Sequence, residues 1–326
     1  MTQIVEYISK KYFAVLLFSV LSILPAFSQF EAQISQYMFH TPTFNPASIA
    51  ENKMINVSGQ HRIQWVGIPG APQTTYFTIN APLIISEKVS NGVGIKFLND
   101  KIGAFSNQSA HLQYAFKRKF KKNTLSLGAD IGFVSVSFLS DSIRNAEINS
   151  DFHDFLGDQA IPTADDTGMN LDLSLGAFYS AEKYYLGVSY VHLNAPSIKL
   201  NDERTHFNVR GVLYATGGYD FNFKDSKWKL RSSALAKSDF ASWQAEVSSR
   251  VEYNQRYWGG LSYRFQDAVV FFAGLNVMSG LTIGYAYDLP AGKLLGPSTG
   301  SHEAFLSYSF MFDFGGKNKY KSIRIL

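Results

Sequence analysis

The 326 residues include no cysteine, which excludes a disulfide framework, a lipoprotein anchor and thiolate chemistry. The formal charge of +4 is small and dispersed, too weak for a nucleic-acid surface. Hydrophobic residues make up 46% of the chain and aromatics 15%, yet mean hydropathy is near zero, as expected where apolar and polar positions alternate along a membrane-spanning wall.

Residues 1–28 read as a secretory signal peptide. Lys10 and Lys11 precede an apolar run from Tyr12 to Leu24, and Pro25 is followed by Ala26-Phe27-Ser28, with small residues at −3 and −1 before Gln29. A retained N-terminal anchor is the alternative, but the run is short for a bilayer span. No other stretch approaches ~18 consecutive apolar residues. The signal, cleaved on export, implies passage out of the cytoplasm.

Residues 29–53 are a separate periplasmic or lumenal segment. Pro42 and Pro46 prevent a regular strand, while Tyr37, Met38, Phe39 and Phe44 are too apolar for a solvated tail. The composition predicts a packed segment that plugs a lumen or contacts a partner.

From residue 54 to 314 the chain repeats one pattern, about ten residues of alternating apolar and polar character followed by a turn. Met169, Leu171, Leu173 and Leu175 alternate with Asn170, Asp172 and Ser174; Trp243, Ala245 and Val247 alternate with Gln244, Glu246 and Ser248. Such runs are long enough to cross a bilayer at a tilt. Fourteen are predicted: 54–65, 73–83, 91–99, 106–118, 123–138, 168–181, 184–193, 206–223, 227–237, 241–253, 257–265, 268–277, 280–289 and 302–314. The fold class is all-β, an antiparallel up-and-down transmembrane β-barrel of about fourteen strands, with twelve possible. The long connectors 139–167, 194–205 and 290–301 all follow odd-numbered strands. That places them on the outer face and the short turns in the periplasm. The basic tail 315–326 is then periplasmic.

In the fifth run the apolar phase changes: Leu125, Leu127, Ala129, Ile131 and Phe133 share one face, and Val134, Val136 and Phe138 the other. A bulge near Phe133, or a strand leaving the membrane there, is expected. Charges within runs should point inward because the lipid face penalises them. These are Arg62, Lys96, Asp130, Asp172, Arg210, Lys229, Arg231, Glu246, Arg250, Arg264 and Glu303. Their mixed signs predict a lumen of ion pairs rather than a single-sign channel.

Catalytic chemistry is sparse, and no catalytic, cofactor or metal residue is assigned. The seven histidines form no HExxH motif, and no serine sits in GxSxG. Asp151, Asp154, Asp158, Asp165 and Asp166 could donate oxygens to calcium but lack EF-hand spacing, so a solvated loop is the better reading. A serine hydrolase with residues from neighbouring strands, and a passive porin or small-molecule transporter, remain alternative classes.

Several blocks resemble the PorP/SprF family of outer membrane proteins: Gln36-Tyr37-Met38-Phe39 with Asn45-Pro46-Ala47, Gln64 through Thr74, Asn99 through Gly103, Trp258 through Arg264, Ile283 through Asp288, and Gly300-Ser301-His302-Glu303. They follow family order across the expected mature chain. The resemblance implies a non-enzymatic component of the type IX secretion system of the Bacteroidota. It would support protein export, surface anchoring and, in some species, gliding motility. Implied partners are other secretion components in the outer membrane and periplasm, and a large secreted surface protein with a C-terminal sorting domain, besides the lipid bilayer. No cofactor is implied. Candidate partner-contact residues are Tyr37, Phe39, Asn45, Pro46, Trp65, Gly67, Pro69, Gly70, His302 and Glu303. For the glycines and prolines of the Trp65–Thr74 loop, a tight turn is a sufficient explanation.

Overall fold

Alternation of side chains across a strand buries one face of each run and exposes the other, and hydrogen bonding between neighbours then closes the wall. In the computed structural model, which describes residues 31–51, 54–84, 89–139, 164–200, 205–223, 227–291 and 296–311, sixteen strands form. They are β1 (Ile55–Ile63), β2 (Gln73–Ile84), β3 (Val89–Ile102), β4 (Phe105–Phe120), β5 (Asn123–Phe138), β6 (Asp166–Ser180), β7 (Tyr184–Val191), β8 (Ser197–Leu200), β9 (Thr205–Asn208), β10 (Val212–Asn222), β11 (Trp228–Ser238), β12 (Trp243–Tyr253), β13 (Tyr257–Arg264), β14 (Ala268–Met278), β15 (Leu281–Pro290) and β16 (Ser301–Phe310). All except β8 and β9 pair with their neighbours in a closed antiparallel barrel of fourteen strands, and β1 meets β16 from Ile55 opposite Phe310 to Ile63 opposite His302. The end where β1 finishes and the long connections emerge is called upper below.

The barrel is inverted relative to a water-soluble one. On β4, Leu112 is 62% exposed while its neighbour His111 is 3% exposed, and Leu127, Leu186 and Leu261 likewise face outward. Polar side chains such as Gln113, Asp130 and Ser174 are buried within. Water would not select that arrangement; a bilayer outside and a hydrogen-bonded interior do.

Three expectations are corrected. The predicted run 206–223 is two elements. β7 ends at Val191, which pairs with Val212, so residues before 212 have no barrel neighbour and β9 pairs with β8 instead. The register of β5 with β4 and β6 is unbroken, so of the two readings of its phase change the bulge at Phe133 is excluded. Val134, Val136 and Phe138 are apolar because they face inward and pack on Ile198, Leu200 and Val209 from the β8–β9 region. The hairpin folds against the inner side of the extended β4–β6 wall, and apolar inward residues there have apolar partners. The barrel's register shift lies between Asn276 and Met278, in β14 against β15. Finally, Arg210 does not point inward. It stands exposed in the connection between β9 and β10, 3.6 Å from Asp239.

The other expected inward charges occupy inward positions, with Arg62, Lys96, Asp130, Asp172, Glu246, Arg264 and Glu303 buried. They pair across signs: Arg62–Asp288 at 2.8 Å, Arg264–Glu246 at 2.7 Å, Arg264–Asp288 at 2.9 Å and Lys96–Asp130 at 3.2 Å. The signal peptide, the tail 315–326 and most of the acidic loop, including Asp151, Asp154 and Asp158, lie outside the described residues.

Candidate functional site

Residues 31–51 run inside the barrel. The two prolines that forbid a strand instead open short 3-10 turns: Pro42 lies in the turn Thr41–Thr43 and Pro46 begins the turn Pro46–Ser48. A third turn covers Tyr37–Phe39. These turns satisfy part of the segment's backbone locally, and the barrel wall takes over at both ends.

At the lower end the wall is cut away to receive Asn45-Pro46-Ala47. The Asn45 side chain accepts from the Ala47 amide at 3.0 Å and donates through Nδ2 to the carbonyls of Ala177 (3.2 Å) and Val188 (3.4 Å). Gly128 on β5 and Gly176 on β6, directly paired across the strands, face this motif. A Cβ on Gly128 would fall inside the Pro46–Ala47 backbone, and one on Gly176 would collide with the Asn45 side chain. Ile49 reaches the wall at Gly92, and Ala50 donates its amide to Asn80.

The middle is aromatic. Tyr37, fully buried, exchanges hydrogen bonds with Ser233 and Ser248, both at 3.0 Å. Phe39 packs on Trp258 (4.6 Å) and Phe305 (4.9 Å) beneath the Arg250 guanidinium at 4.3 Å, while Phe44 stacks on Tyr214. His40 lies edge-on to Phe305, its Nε2 without a hydrogen-bond partner among the described residues, and burial pushes its pKa down to about 3.

The upper end is ionic. Glu303 accepts from the Ser35 amide (2.7 Å) and the Gln36 amide (2.8 Å). The Ser35 hydroxyl donates to Asp288 and accepts from Arg62 (2.7 Å) and Arg264 (3.1 Å), so two arginines, two carboxylates and the segment share one network. Glu31 contacts His192 at 2.6 Å and accepts from the Tyr214 hydroxyl at 3.1 Å; His192 is 2.8 Å from Asp172, which also meets His111 at 2.8 Å. Burial alone would raise the Glu31 pKa, but His192, with Lys237 and Lys96 nearby, holds it below the ordinary value.

Above the segment, residues 64–72 bridge the seam. The Val66 amide donates to Gly300 (2.8 Å), the Trp65 amide to Ser301 Oγ (3.1 Å) and the Gly103 amide to Gly70 (2.9 Å). Gly67 and Gly70 have φ of 103° and 71°, which glycine adopts without strain, and Trp65 shares the left-handed region at 51°. Turn geometry therefore accounts for the glycines. Tyr37, Phe39, Asn45, Pro46 and Glu303 are packed on the chain's own lumen, whereas Trp65, Gly67, Pro69 and Gly70 form the rim loop. His302 points outward beside Tyr285, whose hydroxyl is 2.5 Å from its Nδ1.

Ser35, Asp288 and the facing glycines escaped sequence reading. For Asp288 the signal was present, since it shares the inward phase of Gly284 and Ala286. Ser35 carries no local signal. Among the described residues no three His, Cys, Asp or Glu side chains are grouped to hold a metal ion.

No curated protein sequence matches the chain. Among solved structures it is similar to the CymD monoaromatic hydrocarbon channel, with TM-score 0.50, 11% identity, and coverage of 86% of this chain and 93% of that one. It is also similar to the translocator domain of autotransporter NalP from Neisseria meningitidis, with TM-score 0.45, 12% identity, and coverage of 85% and 96%. At such identity the CymD likeness concerns the barrel fold alone. A family model described as type IX secretion system membrane protein PorP/SprF matches residues 26–308. That span takes in the Tyr37–Ala47 segment, the glycine-notched wall that seats it and the Arg62–Glu303 seam, and the chain belongs to the PorP/SprF family of type IX secretion system membrane proteins.

Proposed function

We infer that this chain is a non-enzymatic, integral component of the type IX secretion system in the cell outer membrane, supporting export or surface anchoring of secreted proteins, gliding adhesins included. The observation that carries the reading is the occupied lumen. A barrel threaded by its own residues 31–51 and covered by the β8–β9 hairpin suits a scaffold better than a conduit. Its working surfaces are then the rims. The Trp65–Gly70 loop, braced by Gly300 and Ser301, is the part of the sequence-derived candidate set that a large surface protein can reach from the cell exterior.

Affinity purification of the tagged full chain from outer membranes, with identification of what accompanies it, tests the proposal. Recovery of secretion components and one large secreted protein with a C-terminal sorting domain is expected. Recovery of neither would overturn it. The passive-channel reading predicts large, steady single-channel currents in planar bilayers, whereas the scaffold predicts none until the segment is displaced.

A further inference from the structure

Six Asp or Glu side chains are buried among the described residues: Asp100, Asp130, Asp172, Glu246, Asp288 and Glu303. Five have a cationic or imidazole partner. Asp288 and Glu303 meet Arg62, Glu246 meets Arg264, Asp130 meets Lys96, and Asp172 meets two histidines. Asp100 is the exception. It is 2% exposed, and its one hydrogen bond among the described residues comes from the Thr74 hydroxyl at 2.6 Å. An isolated buried carboxylate is unfavourable unless it is neutralised by a proton or a cation.

Asp100 lines a cavity of about 300 Å³ at the upper end of the lumen, under the rim loop. This is at the small end of ligand sites. Trp65, Pro72 and Ile102 supply apolar walls, and Gln33, Gln64 and Gln244 supply amides. Among the described residues no Lys or Arg lines it. Glu31 and Asp267 also border the space, but His192 and Arg264 already engage them. One uncommitted carboxylate beside an indole and a short apolar wall does not resemble the oxygen cage a calcium ion needs. It suits an ammonium or guanidinium on an apolar stem, with the charge against Asp100 and the stem along Trp65.

We propose that this vestibule binds an aliphatic organic cation, a primary ammonium or guanidinium, delivered either as a free polyamine or as a lysine or arginine side chain of a polypeptide reaching into the mouth. The site goes beyond the scaffold role above, and its test does not depend on that role.

Isothermal titration calorimetry on the purified full chain in detergent tests it with three probes: 1,5-diaminopentane, Nα-acetyl-lysine methylamide and neutral 1-pentanol. Saturable binding of at least one cation is expected, with pentanol silent. Asp100→Asn, which keeps the Thr74 contact, should weaken binding roughly tenfold or more. Trp65→Ala, at the rim and outside the barrel wall, should weaken it too and serves if Asp100→Asn does not fold. Stronger binding of the lysine derivative would identify a polypeptide source, and stronger binding of the diamine a polyamine. Equal binding by Asp100→Asn, equal binding of pentanol, or no saturable heat from either cation would overturn the proposal; the last result would mean that Asp100 is neutralised by its own proton.

Discussion

Residues 31–36 and residues 45–49 belong to one short segment but are seated by opposite means. The upper stretch is held by charge, through Glu303, Asp288, Arg62, Arg264 and His192 converging on Glu31, Ser35 and the Ser35 and Gln36 amides. The lower stretch is held by shape, in a wall stripped of side chains at Gly128 and Gly176. Ionic seats answer to pH and to competing charge, while steric seats answer only to volume. The segment can therefore be loosened from above without losing its lower footing.

The largest expected effect comes from the upper seat. Arg264→Met would leave Glu246 without a cation and Asp288 with Arg62 alone in a buried network, a loss of about 3–5 kcal/mol. Chemical unfolding of the detergent-solubilised chain, followed by tryptophan fluorescence, measures it. Protection of residues 45–49 from protease should persist in this variant; new cleavage there would erase the distinction between the two seats.

Gly128→Val attacks the lower seat, since the added side chain would occupy the space of Pro46 and Ala47. Overpacking of this kind costs about 1–3 kcal/mol. Limited proteolysis should then cut within 45–51 while the barrel itself resists, and a steady bilayer conductance should emerge. An intact, uncut segment would break the account of the glycine notch.

Acid sharpens the comparison further. His40 has a seated pKa of about 3 against an ordinary value near 6.5, so the unseated state binds more protons between those limits. Seating is thus fully favourable above about pH 6.5 and weakens as pH falls towards 3. Glu31, with its lowered pKa, adds a loss in the same direction at the acid end of that window. Protease sensitivity of residues 31–44 should rise with acid while residues 45–49 stay protected, and His40→Gln should flatten the upper part of the profile. A pH-independent wild type would contradict the assignment.

The smallest effect marks the background. Lys122 and Glu182 pair at 2.9 Å between neighbouring lower turns with side chains 79% and 64% exposed. Lys122→Ala should change stability by no more than about 0.5 kcal/mol and leave both seats untouched.

Much of the wall was legible because a bilayer enforces a period of two. Connector lengths then supported the strand count and gathered the long connections at one end of the barrel. Where legibility failed, the missing information was tertiary. Val134, Val136 and Phe138 read as a phase slip because an apolar inward face makes sense only with the β8–β9 hairpin beside it. Arg210 was placed inward because alternation continues smoothly from β9 into β10, although the pairing partner changes between them. The packed character of the N-terminal segment could be read from Tyr37, Phe39 and Phe44. Its seat could not, since Gly128 and Gly176 acquire meaning only when register sets them side by side beneath Asn45.

The contact between Ser35 and Glu303 spans 268 positions of sequence. Glu303 lies on β16, the strand that closes onto β1, so the segment's upper seat is incomplete until the last strand has arrived. Loop closure over such a separation is slow and comes late. Barrel closure and locking of the segment therefore share one carboxylate, and a chain stalled before β16 docks has an unfinished seam and an unseated N-terminal segment at once. For an assembly machinery in the membrane, protection of residues 31–36 would be a report that the barrel is complete.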